Sequence, residues 1–169
     1  MNIYRNGQYG PQNIRREQPQ NPFIKAHERG LGDPKRTVPM RVLVVDDEPN
    51  IRSVVPEGLK AFGERDGITF EIGVAANGEE ALKIFREARE KGEPFGLVIT
   101  DIRMPGMSGV DLMEEINRIA PHTRIIFMSG YIDGRVAERV QAAIERGDAS
   151  GLLEKPFSLK ELWGMVQNE

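Results

Sequence analysis

The sequence predicts an α/β fold built on a doubly wound parallel sheet, and two observations carry that prediction. After residue 41, short apolar runs of strand length recur five times, rich in β-branched residues. Runs of that kind suit parallel strands covered on both faces. Between them lie stretches with helical spacing and recognisable caps. Strands alternating with helices make βαβ units joined by right-handed crossovers, and five such units fit within residues 41–169.

The first strand is expected at residues 42–45 and the first helix at about 49–62, with Pro49 well placed in its opening turn. Pro56 falls inside that helix, where it removes a backbone hydrogen bond and crowds the preceding turn, so a kinked or shortened helix is expected. A second strand spans 70–74. Asn77 then precedes GEEALKIFREAREK, with Glu80 three residues on. The third strand is expected at 95–99, followed by Ser108 before GVDLMEEINRI with Asp111 three residues on. Strands at 125–128 and 151–153 follow, and Ser158 precedes LKELWGMVQ with Glu161 three residues on. Each polar residue with an acid three positions later is an N-cap with a capping-box partner or a close relative of one. The charged strings GERDG at 63–67 and EKGEP at 90–94 read as surface turns after helices. No internal repeat is present.

Composition narrows the function. The 169 residues and 19.0 kDa suit one domain, and 39% hydrophobic with 29% charged residues is ordinary for a globular protein. No apolar run reaches the length of a membrane-spanning helix, and the N-terminus lacks the apolar segment of a secretory signal. Zero cysteines exclude a disulfide framework, a thiolate metal site and a cysteine nucleophile, and they suit a cytoplasmic address. His27 and His122 are far apart in sequence, which leaves a histidine metal site or triad poorly supported. Charge is unevenly spread: residues 1–40 carry seven Lys/Arg and three acids, so the rest of the chain carries −7 of the net −3. Residues 1–39 hold five of the eleven prolines and no sustained hydrophobic period. They read as a flexible basic extension ahead of a domain at 40–169. Such an arm either touches nucleic acid or an acidic partner, or is simply solvated.

In an open parallel sheet, ligands bind beyond the carboxyl ends of the strands. Asp46, Asp47 and Glu48 follow VLVV, Asp101 follows LVIT, Ser129 follows IIFM, and Lys155 with Pro156 follows GLLE. Carboxylates, a hydroxyl and an ammonium thereby reach one sheet edge. Clustered carboxylates repel, which raises a pKa or recruits a cation. Oxygen ligands without sulfur or imidazole favour a hard divalent ion, Mg²⁺ above all. Lys155 suits a phosphoryl oxygen, and Ser129 can donate to another. Each feature has a plainer reading alone: the acid pair as a helix cap, Asp101 as a turn residue, Ser129–Gly130 as a loop start. Together they point to a phosphoryl group on or beside a carboxylate.

The strings VLVVDDEPNIR (42–52), NGEEAL (77–82), LVITDIRMPGMSGVDLM (97–113), IIFMSG (125–130) and LLEKPFSLKEL (152–162) resemble the receiver domain of two-component response regulators. That resemblance implies a (βα)5 flavodoxin-like fold with strand order 2-1-3-4-5. It implies that Asp101 is the phosphoacceptor, attacking the phosphorus of a kinase phosphohistidine. Asp46, Asp47 and Asp101, with the Arg103 backbone carbonyl, would hold Mg²⁺, with Mn²⁺ a possible substitute. Lys155 would pair with the acceptor and then with the phosphoryl group, and Ser129 would be the switch hydroxyl. Pro156 often follows a cis bond in this family, which would direct the lysine. The family's aromatic switch residue falls at Leu152, so output is left to backbone or loop motion or to Tyr131. Arg103 and Tyr131 would flank the path of an attacking water and tune the lifetime of the acyl phosphate.

The expected function is a stand-alone phosphorylation switch rather than an enzyme, fed by a sensor histidine kinase or a histidine phosphotransfer protein. Output would go to a partner protein or a homodimer through the face of helix four, strand five and helix five, roughly residues 131–166. Trp163 and Met165 fall in that stretch, though each is more often core. Three alternatives stand beside it. A haloacid-dehalogenase-type phosphatase needs an acid/base two residues after its nucleophile, where Arg103 stands. The others are a phosphorylation-independent interaction domain and a nucleic-acid role for the basic arm.

Overall fold

A computed structural model describes residues 38–167. The predicted basic extension lies, but for its last two residues, outside the described residues. Five strands alternate with five helices: β1 (Met40–Val45), α1 (Pro49–Asp66), β2 (Phe70–Ala75), α2 (Gly78–Glu90), β3 (Leu97–Asp101), α3 (Gly109–Ile119), β4 (Arg124–Ser129), α4 (Gly134–Arg146), β5 (Gly151–Glu154) and α5 (Leu159–Gln167). All pairings are parallel, in the order β2-β1-β3-β4-β5, as the resemblance implied.

Side chains alternate across each strand, so one sheet supports two cores. Val42, Val44, Leu97, Ile99, Ile126 and Met128 pack under α1 and α5, against Val55, Leu59, Leu162 and Trp163. Leu43, Val45, Val98, Ile125 and Phe127 face α2, α3 and α4 on the other side. Chain order reverses at β1, which sends β2 to one side and β3 to the other, and the carboxyl ends of β1 and β3 therefore open a crevice between them. Trp163 is buried, stacked on Phe62 at 5.5 Å and edge-on to Phe70 at 6.0 Å. Trp163 thus belongs to the core and not to an exposed face, and Met165 is half-buried beside it.

The caps form as read. Ser108 and Asp111 complete a reciprocal capping box on α3, and Ser158 with Glu161 does the same on α5. Asn77 caps α2 by accepting from the Glu80 N–H, while Glu80 turns back to the Ala76 N–H instead of the cap residue.

Three local expectations are corrected. The first helix is not shortened at Pro56 and runs from Pro49 to Asp66, 18 residues in all. The proline gives up one bond, but Val55 and Leu59 beside it are fully buried, and that packing carries the helix through. Residues 63–66 are therefore helix rather than turn, and the helix stops at Gly67, whose φ of 74° makes the left-handed cap. Asp66 earns its helical place by accepting from Trp163 Nε1 at 3.1 Å and from Gln167 at 3.2 Å. The third strand begins two residues later than expected. Phe95 precedes it, spending its apolar surface on a stack against Phe85, and Asp101 lies within the strand, paired with Met128.

Candidate functional site

The ends of β1, β3, β4 and β5 bring the expected residues to one edge of the sheet. Asp46, directly after β1, is fully buried, and Asp101, the last residue of β3, is 6% exposed. Ser129 ends β4 and is buried, and Lys155 follows β5. Lys155 closes the cluster: its Nζ lies 2.8 Å from Asp46 Oδ2, 2.9 Å from Asp101 Oδ1 and 2.9 Å from Glu48 Oε1. The three N–H bonds of the ammonium are thus matched by three carboxylates. The Lys155 N–H also donates to the Ser129 carbonyl at 2.7 Å, which fixes the lysine backbone to β4, and the Lys155–Pro156 peptide is cis.

The second oxygen of each buried acid is held by the backbone. Asp46 Oδ1 accepts from the Glu48 N–H at 2.9 Å, and Asp101 Oδ2 accepts from the Arg103 N–H at 2.7 Å. Arg52 donates to the Asp46 carbonyl, tying α1 to the same turn. Burial pushes the Asp46 carboxyl above the usual carboxylate range, and the Lys155 ammonium and the Glu48 N–H only partly offset that. For Lys155, burial opposes the charge, but bonds from Asp46, Glu48 and Asp101 outweigh it and hold the ammonium well above the ordinary lysine range.

Asp47 stands apart from the cluster: it is exposed, and among the described residues no hydrogen bond or ion pair joins it to Asp46, Asp101 or Lys155. No three acid or imidazole side chains among the described residues converge as a finished cage. Asp46 and Asp101 nevertheless aim oxygens at one cation, and acids outnumber the single ammonium. A hard divalent ion fits that donor set, with Asp46, Asp101 and the adjacent Asp47 to hold it.

Ser129 ends β4, the strand paired with β3, and Tyr131 follows it by two residues. The Ser129 hydroxyl donates to the Tyr131 carbonyl at 3.0 Å, and Tyr131 is 64% exposed. The Arg103 guanidinium lies over that ring, 5.4 Å from its centroid. The two residues expected to flank the acceptor therefore touch each other. Leu152 is half-buried on β5 and lines a shallow apolar groove with Ile132, Val140 and Ile144.

The residue that sequence reasoning left without a role is Glu48. It is the N-cap of α1 yet makes no side-chain cap bond, because its carboxylate reaches Lys155 instead. Its position directly after the acid pair was the one available signal.

The sequence matches the response regulator receiver domain over residues 42–167. The chain belongs to that family. The receiver is 37% identical over 122 residues to "Sensor kinase CckA" of Brucella abortus (strain 2308), covering 72% of this chain and 11% of that protein. It is 33% identical over 129 residues to "Regulatory protein AtoC" of Escherichia coli (strain K12), covering 75% of this chain and 24% of that one. Among solved structures, the chemotaxis response regulator CheY4 of Vibrio cholerae aligns with a TM-score of 0.62 at 28% identity, over 76% of this chain and 97% of that one. The receiver domain from the hybrid histidine kinase CckA aligns with a TM-score of 0.56 at 31% identity, over 75% and 95%. The receiver thus spans nearly the whole of these solved domains, but only 11% to 31% of the first curated relatives. No described helix is long and apolar enough to cross a membrane.

Proposed function

We propose that this receiver takes a phosphoryl group onto Asp101 in a Mg²⁺-dependent reaction and acts as a signalling switch through protein–protein contacts. The observation that carries the reading is Lys155 Nζ, held between the buried carboxylates of Asp46 and Asp101. A donor phosphohistidine from a sensor kinase or a phosphotransfer protein would approach from the solvent side, in the cytoplasm. An Asp101 oxygen forms the new O–P bond while the histidine N–P bond breaks, and the imidazole nitrogen keeps the electron pair and takes a proton. Asp46, Asp47 and Asp101, with the Arg103 carbonyl, would hold the metal, which supplies positive charge to the phosphoryl oxygens when bound. Lys155 follows the charge from the carboxylate to the phosphoryl group. Ser129 turns its hydroxyl from the Tyr131 carbonyl to a phosphoryl oxygen.

A turnover phosphatase is disfavoured by Arg103, which stands two residues after the acceptor, rests on Tyr131 and does not exchange its proton at neutral pH. The test is intact-protein mass after incubation with a small phosphodonor and Mg²⁺, with Asp101→Asn and a chelator control alongside. One added phosphoryl group in the wild type alone, lost without Mg²⁺, is the expected result. No uptake from either a small donor or a set of histidine kinases would overturn the reading.

A further inference from the structure

The loop between β3 and α3, residues 102–108, begins at the acceptor and carries Arg103, whose N–H already holds Asp101 Oδ2. Its crown rests on the first turn of α2. The Met107 N–H donates to Glu79 Oε1 at 2.9 Å, a bond that spans 28 residues of sequence. Two glycines make room for it. Gly106 has φ +77°, and a Cβ there would stand 2.6 Å from Glu79 Oε1. A Cβ at Gly78 would stand 2.7 Å from the Met107 carbonyl oxygen and Cβ. A side chain at Gly78 would collide with the loop backbone, and one at Gly106 would collide with the Glu79 carboxylate that holds it.

An acid in the first turn of a helix has a plain explanation in the helix dipole. Here α2 is already capped by Asn77, and Glu80 already satisfies the Ala76 N–H. The Glu79 carboxylate is thus spent outside its own helix, on the backbone of a loop that starts at the acceptor. We propose that Glu79 is a positioning residue for the acidic site: by holding Met107 it keeps the 102–108 loop seated, so that the Arg103 main chain stays against Asp101. The inference rests on the reading that this site binds Mg²⁺ and takes a phosphoryl group.

The test uses the full chain as wild type, Glu79→Ala, Glu79→Gln and Glu80→Ala. In metal-free protein, amide exchange at Met107 is expected to rise about fivefold in Glu79→Ala, the effect of one lost hydrogen bond. Glu79→Gln keeps an acceptor oxygen and should exchange as the wild type does. Calorimetric titration with Mg²⁺ is expected to show affinity lowered at least about threefold in Glu79→Ala and recovered in Glu79→Gln, as for a supporting residue. Glu80→Ala leaves the Asn77 cap in place but removes the bond to the Ala76 N–H, and should lower the melting temperature while leaving Mg²⁺ affinity within about twofold. Glu79→Ala binding Mg²⁺ as the wild type does, or Glu80→Ala weakening it equally, would overturn the proposal while leaving the receiver reading intact. A wild type that binds no Mg²⁺ and accepts no phosphoryl group would overturn both.

Discussion

Lys155→Met removes the one cation shared by Asp46, Asp101 and Glu48 while keeping most of the aliphatic stem. Two carboxylates are then left buried and facing each other, since the Asp46 side chain is fully buried and that of Asp101 is 8% exposed. Removing one partner of a buried pair typically costs about 3–5 kcal/mol. Proton uptake sets a ceiling on that figure. A carboxylate that ordinarily titrates near pH 4 can be neutralised at pH 7 for about 4 kcal/mol, at about 1.4 kcal/mol per pH unit. The variant should therefore lose about 3–4 kcal/mol in metal-free buffer at pH 7, or roughly 10 °C in Tm for a domain of this size. The sign with pH is fixed. A buried acid without its cation has its folded-state pKa raised, so the variant regains stability as the pH falls from that value toward the unfolded-chain value near 4. At pH 5 the gap to wild type should shrink to about 1–2 kcal/mol. Added Mg²⁺ should raise the Tm of the variant more than that of the wild type, because the metal replaces the missing positive charge. Thermal melts at pH 7 and pH 5, with chelator and with Mg²⁺, read all three effects. A metal-free Lys155→Met melting within about 2 °C of wild type at pH 7 would refute the reasoning.

Two further predictions concern neighbours of the site. Asp111 is held below the usual carboxylate range, first by the Ser108 hydroxyl and then by Arg139. Its contribution is present above the unfolded-chain value and is lost as the pH falls through the lower folded value. Asp111→Ala should cost about 1 kcal/mol at pH 7 through the lost capping box, and the difference in Tm from wild type should close below about pH 4. Arg103→Ala and Tyr131→Ala, which dismantle the ring contact beside the acceptor, should each change the dephosphorylation rate by more than about twofold. Rates within that margin for both would remove these residues from the control of acyl-phosphate lifetime.

What could be read from the sequence follows the range of the interactions. Parallel strands buried on both faces must be apolar throughout, so residues 42–45 and 125–128 were plain, and the caps at Ser108 and Ser158 act over three residues. Errors came where a residue serves something distant. Phe95 looked like strand but packs on Phe85, and GERDG looked like a turn but contains Asp66, whose partner Trp163 is 97 residues away. Pro56 does not shorten its helix, because Val55 and Leu59 beside it are fully buried, a packing that its local cost alone did not show. The strand-end residues of the site were legible because topology brings every carboxyl end to one edge. Glu48 was placed at that edge without a role and Glu79 was passed over, since the bonds that give them meaning reach Lys155 and Met107 across 107 and 28 residues.

The aliphatic Leu152 leaves no aromatic ring on β5 to swing between states, so the state of Asp101 has to be read elsewhere. Tyr131 is tied twice to the acceptor: its carbonyl accepts from the Ser129 hydroxyl, and its ring lies beneath Arg103, whose N–H holds Asp101. A phosphoryl group on Asp101 offers oxygens to the Ser129 hydroxyl and to the Arg103 guanidinium, and so competes with both ties at once. Phosphorylation should therefore change the surroundings of the Tyr131 ring, visible in its NMR resonances once Tyr131→Phe has assigned them. Ser129→Ala separates the two halves of this coupling. Without the hydroxyl, Asp101 still has Lys155 and the acidic pair, so phosphoryl uptake by mass should persist, while the Tyr131 carbonyl has no bond left to lose. The change in Tyr131 resonances on phosphorylation should then fall to the part carried by Arg103, and vanish when Arg103→Ala is added. A full-sized change in Ser129→Ala would mean that the exposed tyrosine answers to Asp101 by some route other than the serine hydroxyl.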